Sequence, residues 1–213
     1  IITDKVYEKF FPVEKGDIVV DLGANVGLWS YKMIEKEPKH IYALEPEKEC
    51  YLTAKKNLGL FSNVTVIDKG ISDKTGHKVV KGLFDKNSMV CYTNKDKICP
   101  TISFKDFLKQ YNIDKIDFLK VDCEGGEYDV FTGENYSFIS ENVKKIAGEF
   151  HLADIYDKHN FLKFRNLYLP KNKTNWKVLT MDLEDITHKV WDDDFVVFDK
   201  WDFLSFNLYI DQR

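Results

Sequence analysis

The sequence predicts an open, doubly wound α/β sheet, mostly parallel, with helices on both faces. Three observations lead there. Short β-branched runs recur along the first third of the chain, "DIVVDLG", "HIYALEP" and "NVTVID", each closed by glycine, proline or an acid. Stretches with apolar residues at helical spacing separate them, and strand alternating with helix is the pattern of a parallel sheet. A fourth hydrophobic run, "FLKVDCEGGEYDVF" from Phe118 to Phe131, reads as a buried strand that stops at a turn and enters a helix.

The elements follow in order. Asp17 to Gly23 is the first strand, and the apolar residues from Leu28 through Tyr31 to Ile34 form a helix that ends before Pro38. His40 to Pro46 is the second strand. Cys50, Ala54, Leu58 and Phe61 then share one helical face, which makes Cys50 a core residue rather than a nucleophile. Asn63 to Asp68 is the third strand, and Gly70 opens an irregular stretch. Across residues 72–100, pieces such as "KVV" and "MVCY" alternate with Lys, Asp, Asn and Gly, the pattern of hairpin-like excursions and a candidate lid or acceptor-side segment.

Ser103 precedes Phe104, Phe107, Leu108 and Tyr111 at i, i+3, i+4 and i+7 spacing, with Asp106 completing a capping pattern. Val143 to His151 is a fifth strand ending in Glu149 and His151. Phe161, Phe164 and Tyr168 mark a helix before Pro170, and "WKVLTM" and "FLSFNLYI" are late strands. No repeat or low-complexity linker divides the chain, so one domain is expected over residues 1–213, with 152–213 its less characteristic part.

A chain of 213 residues, 44% hydrophobic and 31% charged, can bury a full core. Its formal net charge of -4, with lysines interleaved among acids, offers no basic footprint for nucleic acid. No "NPPY"-like motif of exocyclic-amine methylation occurs either. A small molecule or glycan is the expected partner. Cys50, Cys91, Cys99 and Cys123 show neither CxxC pairing nor metal-ligand spacing, which points to reduced thiols in the cytoplasm. No apolar run approaches membrane-spanning length. The chain opens on Ile1 without an initiator methionine, as a piece of a longer polypeptide would.

In "VVDLGANVG", Asp21 ends the first strand, while Gly23 and Gly27 permit a tight turn and close backbone approach to a ligand. A dinucleotide fingerprint, G-x-G-x-x-G, would need glycine where Asn25 and Leu28 stand. A pyrophosphate would also meet Asp21, Asp122 and Glu124 with no arginine in the loop. S-adenosylmethionine fits better, being phosphate-free and carrying a sulfonium and an ammonium. Glu45, roughly 20 residues after the loop, stands where ribose-binding acids stand in nucleotide-binding sheets. A dinucleotide-dependent oxidoreductase and a non-catalytic S-adenosylmethionine-binding module are the competing readings.

The blocks "DIVVDLGANVGLWS", "ALEP", "VIDKGISDKTG" and "LKVDCEGGE" resemble those of the FkbM-type S-adenosylmethionine-dependent methyltransferases, across approximately Val13 to His151. The resemblance implies a class I, Rossmann-like methyltransferase fold and O-methylation of a hydroxyl on a sugar, glycolipid or natural product. It implies that Asp21 to Gly27, with Gly23 and Asn25, cradles the methionine and ribose portions, and that Glu45 holds the ribose hydroxyls. Asp68 and the backbone of Gly70 and Ile71 would border the adenine. Cys123 replaces the family's usual apolar residue, and Gly126 its usual alanine.

Methyl transfer to oxygen is an in-line displacement, so the protein must align the acceptor and assist loss of its proton. Asp122, Glu124, Glu149 and His151 gather at adjacent strand ends. Asp122 is expected to orient the cofactor's methionine end or the acceptor, and Glu124 to contact the acceptor. His151 is the natural base at neutral pH, with Glu149 as its orienter. Glu127 is assigned to the start of a helix. Lys120, inside a buried strand, is expected to pair with a carboxylate or reach the sheet edge. These oxygens and His151 also suit Mg²⁺ or another divalent cation; spacing alone does not make them converge, so no metal ligand is assigned. Trp176, Trp191 and Trp201 are either a sugar-facing pocket or core packing.

Overall fold

The computed structural model describes residues 6–80, 97–152, 155–192, 195 and 205–213. The first β-branched run forms β1 (Ile18–Leu22), and the chain turns through the glycine loop into the short helix α1 (Leu28–Met33). Then come β2 (His40–Leu44), α2 (Lys48–Leu58) and β3 (Val64–Ile67). The carboxylate of Glu47 caps α2, accepting the backbone N–H groups of Glu49 and Cys50 at 2.8 and 2.9 Å. Cys50 is buried in the core, as its helical spacing requires.

The excursion contains β4 (Gly70–Ser72), β5 (Gly76–Val80) and β6 (Lys97–Ser103) in a separate three-stranded sheet of order β4-β6-β5. The irregular stretch expected from Gly70 is therefore corrected to a strand. Three residues are too few to show a two-residue period, and β4 pairs with residues roughly thirty positions onward. The tip of the candidate lid, residues 81–96 with Cys91, lies outside the described residues.

Ser103 Oγ accepts the Asp106 N–H at 3.1 Å and starts α3 (Phe104–Tyr111). After it come β7 (Ile116–Val121), α4 (Glu127–Val130), α5 (Tyr136–Asn142), β8 (Val143–His151), α6 (Ile155–Tyr168), β9 (Trp176–Leu179) and β10 (Ser205–Asp211). The main sheet has the order β3-β2-β1-β7-β8-β10-β9. Its first five strands are parallel, and β10 runs antiparallel to both β8 and β9. From β1 the chain first builds outward to β2 and β3, then returns to place β7 on the opposite side. Strand order reverses there, and in open α/β sheets the crevice beyond the carboxyl ends of such strands, here β1 and β7, is where ligands bind.

Alternation along the strands sends side chains to two cores. Val19, Phe118, Ala147 and Tyr209 pack with Trp29 and Met33 of α1 and with Tyr7 and Phe11. Their neighbours Val20, Leu119 and Ile146 pack on the opposite face with Phe107 of α3 and Phe161 and Phe164 of α6. Helices thus cover both faces. Trp176 is buried, and Trp191 donates its Nε1–H to the Leu169 carbonyl at 2.9 Å beneath the Arg165 guanidinium. These two tryptophans serve packing; Trp201 lies outside the described residues. Among the described residues, no helix is long and apolar enough to cross a membrane.

Candidate active site

Three alternate residues of the loop after β1 adopt left-handed backbone angles: Gly23 (φ 78°), Asn25 (φ 53°) and Gly27 (φ 80°). Asparagine tolerates this region better than most residues, so Asn25 does the conformational work that a second glycine would do. The glycines also answer to close packing within the chain. A Cβ on Gly23 would lie 1.7 Å from the Asp122 carbonyl oxygen, and one on Gly27 would lie 2.7 Å from Leu58 Cδ1. The N–H groups of Gly23 and Ala24 both bond to the Leu44 carbonyl, at 3.1 and 2.9 Å. The loop is thereby fastened between the ends of β2 and β7.

Asp21 is fully buried beneath this loop. One carboxylate oxygen accepts from Ser30 Oγ at 2.6 Å and the other from Lys120 Nζ at 2.8 Å. Both oxygens are thus engaged inside the chain, which makes Asp21 a support of the loop rather than a group facing the crevice. Lys120 stands beside Asp21 in the β1–β7 register. It also donates to the Gly23 carbonyl at 2.9 Å and approaches Asp122 at 3.9 Å. Asp122 receives a 2.7 Å hydrogen bond from Tyr7 Oη, a contact that nothing in the sequence announces.

Glu45 stands at the end of β2, 8% exposed. Its oxygens accept the N–H groups of Asn25 and Glu47, each at 2.8 Å. Burial outweighs these two bonds and pushes its carboxyl up to about 7. Asp68 lines a cleft of about 450 Å³ with Pro46, Ile98, Cys99 and Pro100, so the small sheet supplies one wall of it. Gly70 packs against the Pro46 ring, and Ile71 lies beside the Cys123–Gly126 turn.

At the other end of the crevice, Asp122, Glu124 and His151 each offer a ligand-type atom, and the three atoms lie within 4.8 Å of one another. Glu124 takes a left-handed φ of 53° in the turn after β7. His151 Nε2 lies 3.3 Å from Glu124 and 3.5 Å from Glu149, whose carboxylate also accepts from Ser205 Oγ at 2.8 Å. The orienter of the ring is Glu127 rather than Glu149. Glu127, fully buried, meets His151 Nδ1 at 2.9 Å and accepts the backbone N–H groups of Cys123 and Gly125. Its carboxylate ties the turn to β8, well beyond the helix-starting role expected of it.

Burial alone would lower the basicity of the His151 ring. The hydrogen bond and charge of Glu127, joined by Glu124 and Glu149, outweigh it and push the ring up to about 10. Unliganded His151 therefore holds a proton at neutral pH and does not start as a free base. Burial raises both neighbouring carboxyls, Glu124 to about 7.

A cofactor without phosphates suits these residues. The crevice is edged by Glu45, Asp122, Glu124 and Glu149, while Lys120 is committed to Asp21 and the loop. Glu45 is a buried acceptor whose charged form would gain from hydroxyl donors. The sheet order and the fastened loop after β1 are those of the class I methyltransferase fold. The family described as "Methyltransferase FkbM domain" matches residues 21–175, and the chain belongs to it.

Methyltransferase sdnD of Sordaria araneosa is 28% identical over 171 residues, covering 62% of this chain and 66% of that protein. The crystal structure of methyltransferase FkbM from Methylobacillus flagellatus aligns over 94% of this chain and 45% of its own, with TM-score 0.55 and 17% identity. The chain thus spans just under two thirds of the first relative and less than half of the second. SMU.1697c of Streptococcus mutans, solved with S-adenosylhomocysteine, aligns over 93% of this chain and 90% of its own, with TM-score 0.52 and 12% identity. The two structural alignments speak for the fold.

Proposed function

We propose that the chain transfers the methyl group of S-adenosylmethionine to a hydroxyl of a sugar, glycolipid or natural product. The observation that carries this reading is the position of Asp122. It stands against the glycine loop, through the Gly23 contact and Lys120, and it also belongs to the polar group formed with Glu124 and His151. A cofactor crevice and an acceptor site adjoin there. When bound, S-adenosylmethionine supplies an electrophilic methyl carbon on a sulfonium.

The chain's own residues do the rest. Glu45 holds ribose hydroxyls, Asp68 and the Gly70–Ile71 backbone border the adenine, and Asp21 keeps the loop in place through Lys120. Asp122 orients the ligand at the junction. Glu124, Glu149 and His151 face the acceptor, and Glu149 is placed to take its proton. The acidic rim and net charge favour a small or glycan acceptor over nucleic acid. A dinucleotide is disfavoured because its pyrophosphate would meet the same acids.

The test is calorimetric titration with S-adenosylhomocysteine and with NAD, followed by methyl-donor consumption across a panel of hydroxyl acceptors. Tight S-adenosylhomocysteine binding with turnover on one acceptor class is expected. Preference for NAD would overturn the reading, and binding without turnover on any acceptor would reduce the chain to a cofactor-binding module.

Glu45 makes a second prediction. Its folded value of about 7 lies above that of the unfolded chain. Its contribution to fold stability is therefore full below the unfolded value and is lost as pH rises through about 7. Ribose hydroxyls donate to the ionised form, so cofactor affinity has the opposite slope and rises from about pH 6 to about pH 8. Glu45→Gln is expected to remove that rise and weaken S-adenosylhomocysteine roughly 10- to 100-fold at the upper pH, the scale of hydrogen bonds to a charged group. Parallel affinity profiles for the two proteins would count against ribose binding by Glu45.

A further inference from the structure

We propose that Asp122, Glu124 and His151 form a binding site for a divalent cation of the Mn²⁺ or Mg²⁺ class, placed to take up the acceptor's hydroxyl. The cation site stands on its own geometry; the hydroxyl role rests on the methyl-transfer reading above.

Ligand atoms opposite one another across an ion, each at about 2.1–2.4 Å from it, are roughly 4.2–4.8 Å apart. The three donor atoms here all lie within 4.8 Å of one another, and His151 Nε2 and Glu124 are 3.3 Å apart, the spacing of neighbouring ligands each about 2.3 Å from one ion. Glu127 fixes Nδ1 of His151 at 2.9 Å and leaves Nε2 on the open side towards Glu124, where an ion would take the place of the Nε2 proton, which leaves to solvent. Metal-ligating imidazoles are commonly held this way, by a carboxylate on the other ring nitrogen. Glu127 is itself anchored by two backbone N–H groups, so the ring is set before any ion arrives.

A separate observation points to a ligand on the same sheet face. Asn207 stands opposite Glu149 in the β8–β10 register, as Ser205 stands opposite His151, so these four side chains share one face. Asn207 is 1% exposed; its Nδ2 donates to the Thr180 carbonyl at 3.2 Å and meets Met181 Sδ at 3.7 Å, while its Oδ1 has no hydrogen-bond partner among the described residues. A buried carbonyl without a donor is costly. A hydroxyl of an acceptor lying beside Glu149 would supply one.

The donor set selects the class of ion. Two carboxylates and one imidazole form an oxygen-rich set; the two carboxylates suit Mn²⁺ or Mg²⁺, and the imidazole weights the choice towards Mn²⁺ over Mg²⁺. Cys123 is not among the three. Three protein ligands leave positions open for water or an acceptor oxygen, and a hydroxyl bound to a cation gives up its proton more readily. With Glu124 on the ion, Glu149 is the carboxylate left to receive that proton. The balance is complete: the acceptor O–H bond breaks with its proton passing to Glu149. The oxygen's electron pair forms the O–C bond, and the electrons of the breaking C–S bond return to sulfur.

The test uses Mn²⁺ with the whole purified chain and neither cofactor nor acceptor, so failure would leave the methyl-transfer reading standing. Loss of the free-Mn²⁺ paramagnetic resonance signal and calorimetry should both report one saturable site, with Mg²⁺ competing. Asp122→Asn, Glu124→Gln and His151→Gln should each weaken Mn²⁺ roughly 10- to 100-fold, while Glu149→Gln keeps wild-type affinity. Glu124 is partly exposed, so its variant should fold, which circular dichroism checks. No saturable site in the wild type, or equal affinity in Glu124→Gln and His151→Gln, would overturn the cation site. Turnover unaffected by removal of all divalent cations would overturn the hydroxyl role.

Discussion

Gly23→Ala should cripple the cofactor crevice and lower the melting temperature by roughly 4–20 °C. The added Cβ would fall 1.7 Å from the Asp122 carbonyl oxygen, a backbone atom with no rotamer to escape through. It would also force a left-handed φ of 78° on a residue with a side chain. Overpacking costs about 1–3 kcal/mol and the left-handed conformation a further ~1–2 kcal/mol. Each kcal/mol shifts the melting temperature of a domain this size by about 2–4 °C. The relief available is to separate the ends of β1 and β7, which also moves Asp122 and the Gly23 carbonyl from Lys120. S-adenosylhomocysteine affinity should therefore fall well over tenfold. Gly16→Ala is the control: its φ is 83°, and nothing lies within 4 Å of its added Cβ. If the two variants melt alike and Gly23→Ala still binds the cofactor normally, close packing at the β1–β7 junction is not what Gly23 provides.

Much of this architecture was legible because it rests on local periodicity. The fifth strand runs from Val143 to His151 as read from its composition, and Ser103 caps α3 as its spacing to Asp106 implied. The acids at the strand ends were legible for a related reason: strand alternation and turn chemistry fix where a strand stops. Partners across the sheet were not. Asp21 and Lys120 are 99 residues apart in sequence and 2.8 Å apart in space. Asp21, expected at the start of the cofactor loop, is fully buried beneath it. A signal existed, since a lysine in the otherwise apolar run "FLKV" needs a buried partner. Glu127 was harder to read. An acid in the first turn of a helix is ordinary, and neither its complete burial nor its grip on His151 follows from neighbours in sequence.

Lys120→Met is expected to cost about 3–5 kcal/mol, the range for breaking a buried ion pair by removing one partner, or roughly 6–20 °C in melting temperature. Methionine keeps most of the side-chain volume, so packing is nearly held and charge is what changes. Burial works against the Lys120 ammonium, but Asp21 and Asp122 outweigh it and raise its pKa. The pair's contribution is therefore present at neutral pH and would be lost only on strong alkalinisation. Without Lys120, Asp21 is fully buried with Ser30 Oγ as its remaining side-chain donor, and the Gly23 carbonyl loses its 2.9 Å bond. The double variant Asp21→Asn/Lys120→Met separates these effects. Replacing a buried pair with neutral groups is often close to neutral for stability, so most of the lost stability should return. Cofactor affinity should not, because the Gly23 carbonyl is still released. A single variant as stable as wild type, or a double variant that regains cofactor affinity along with stability, would show that Lys120 does not hold the loop.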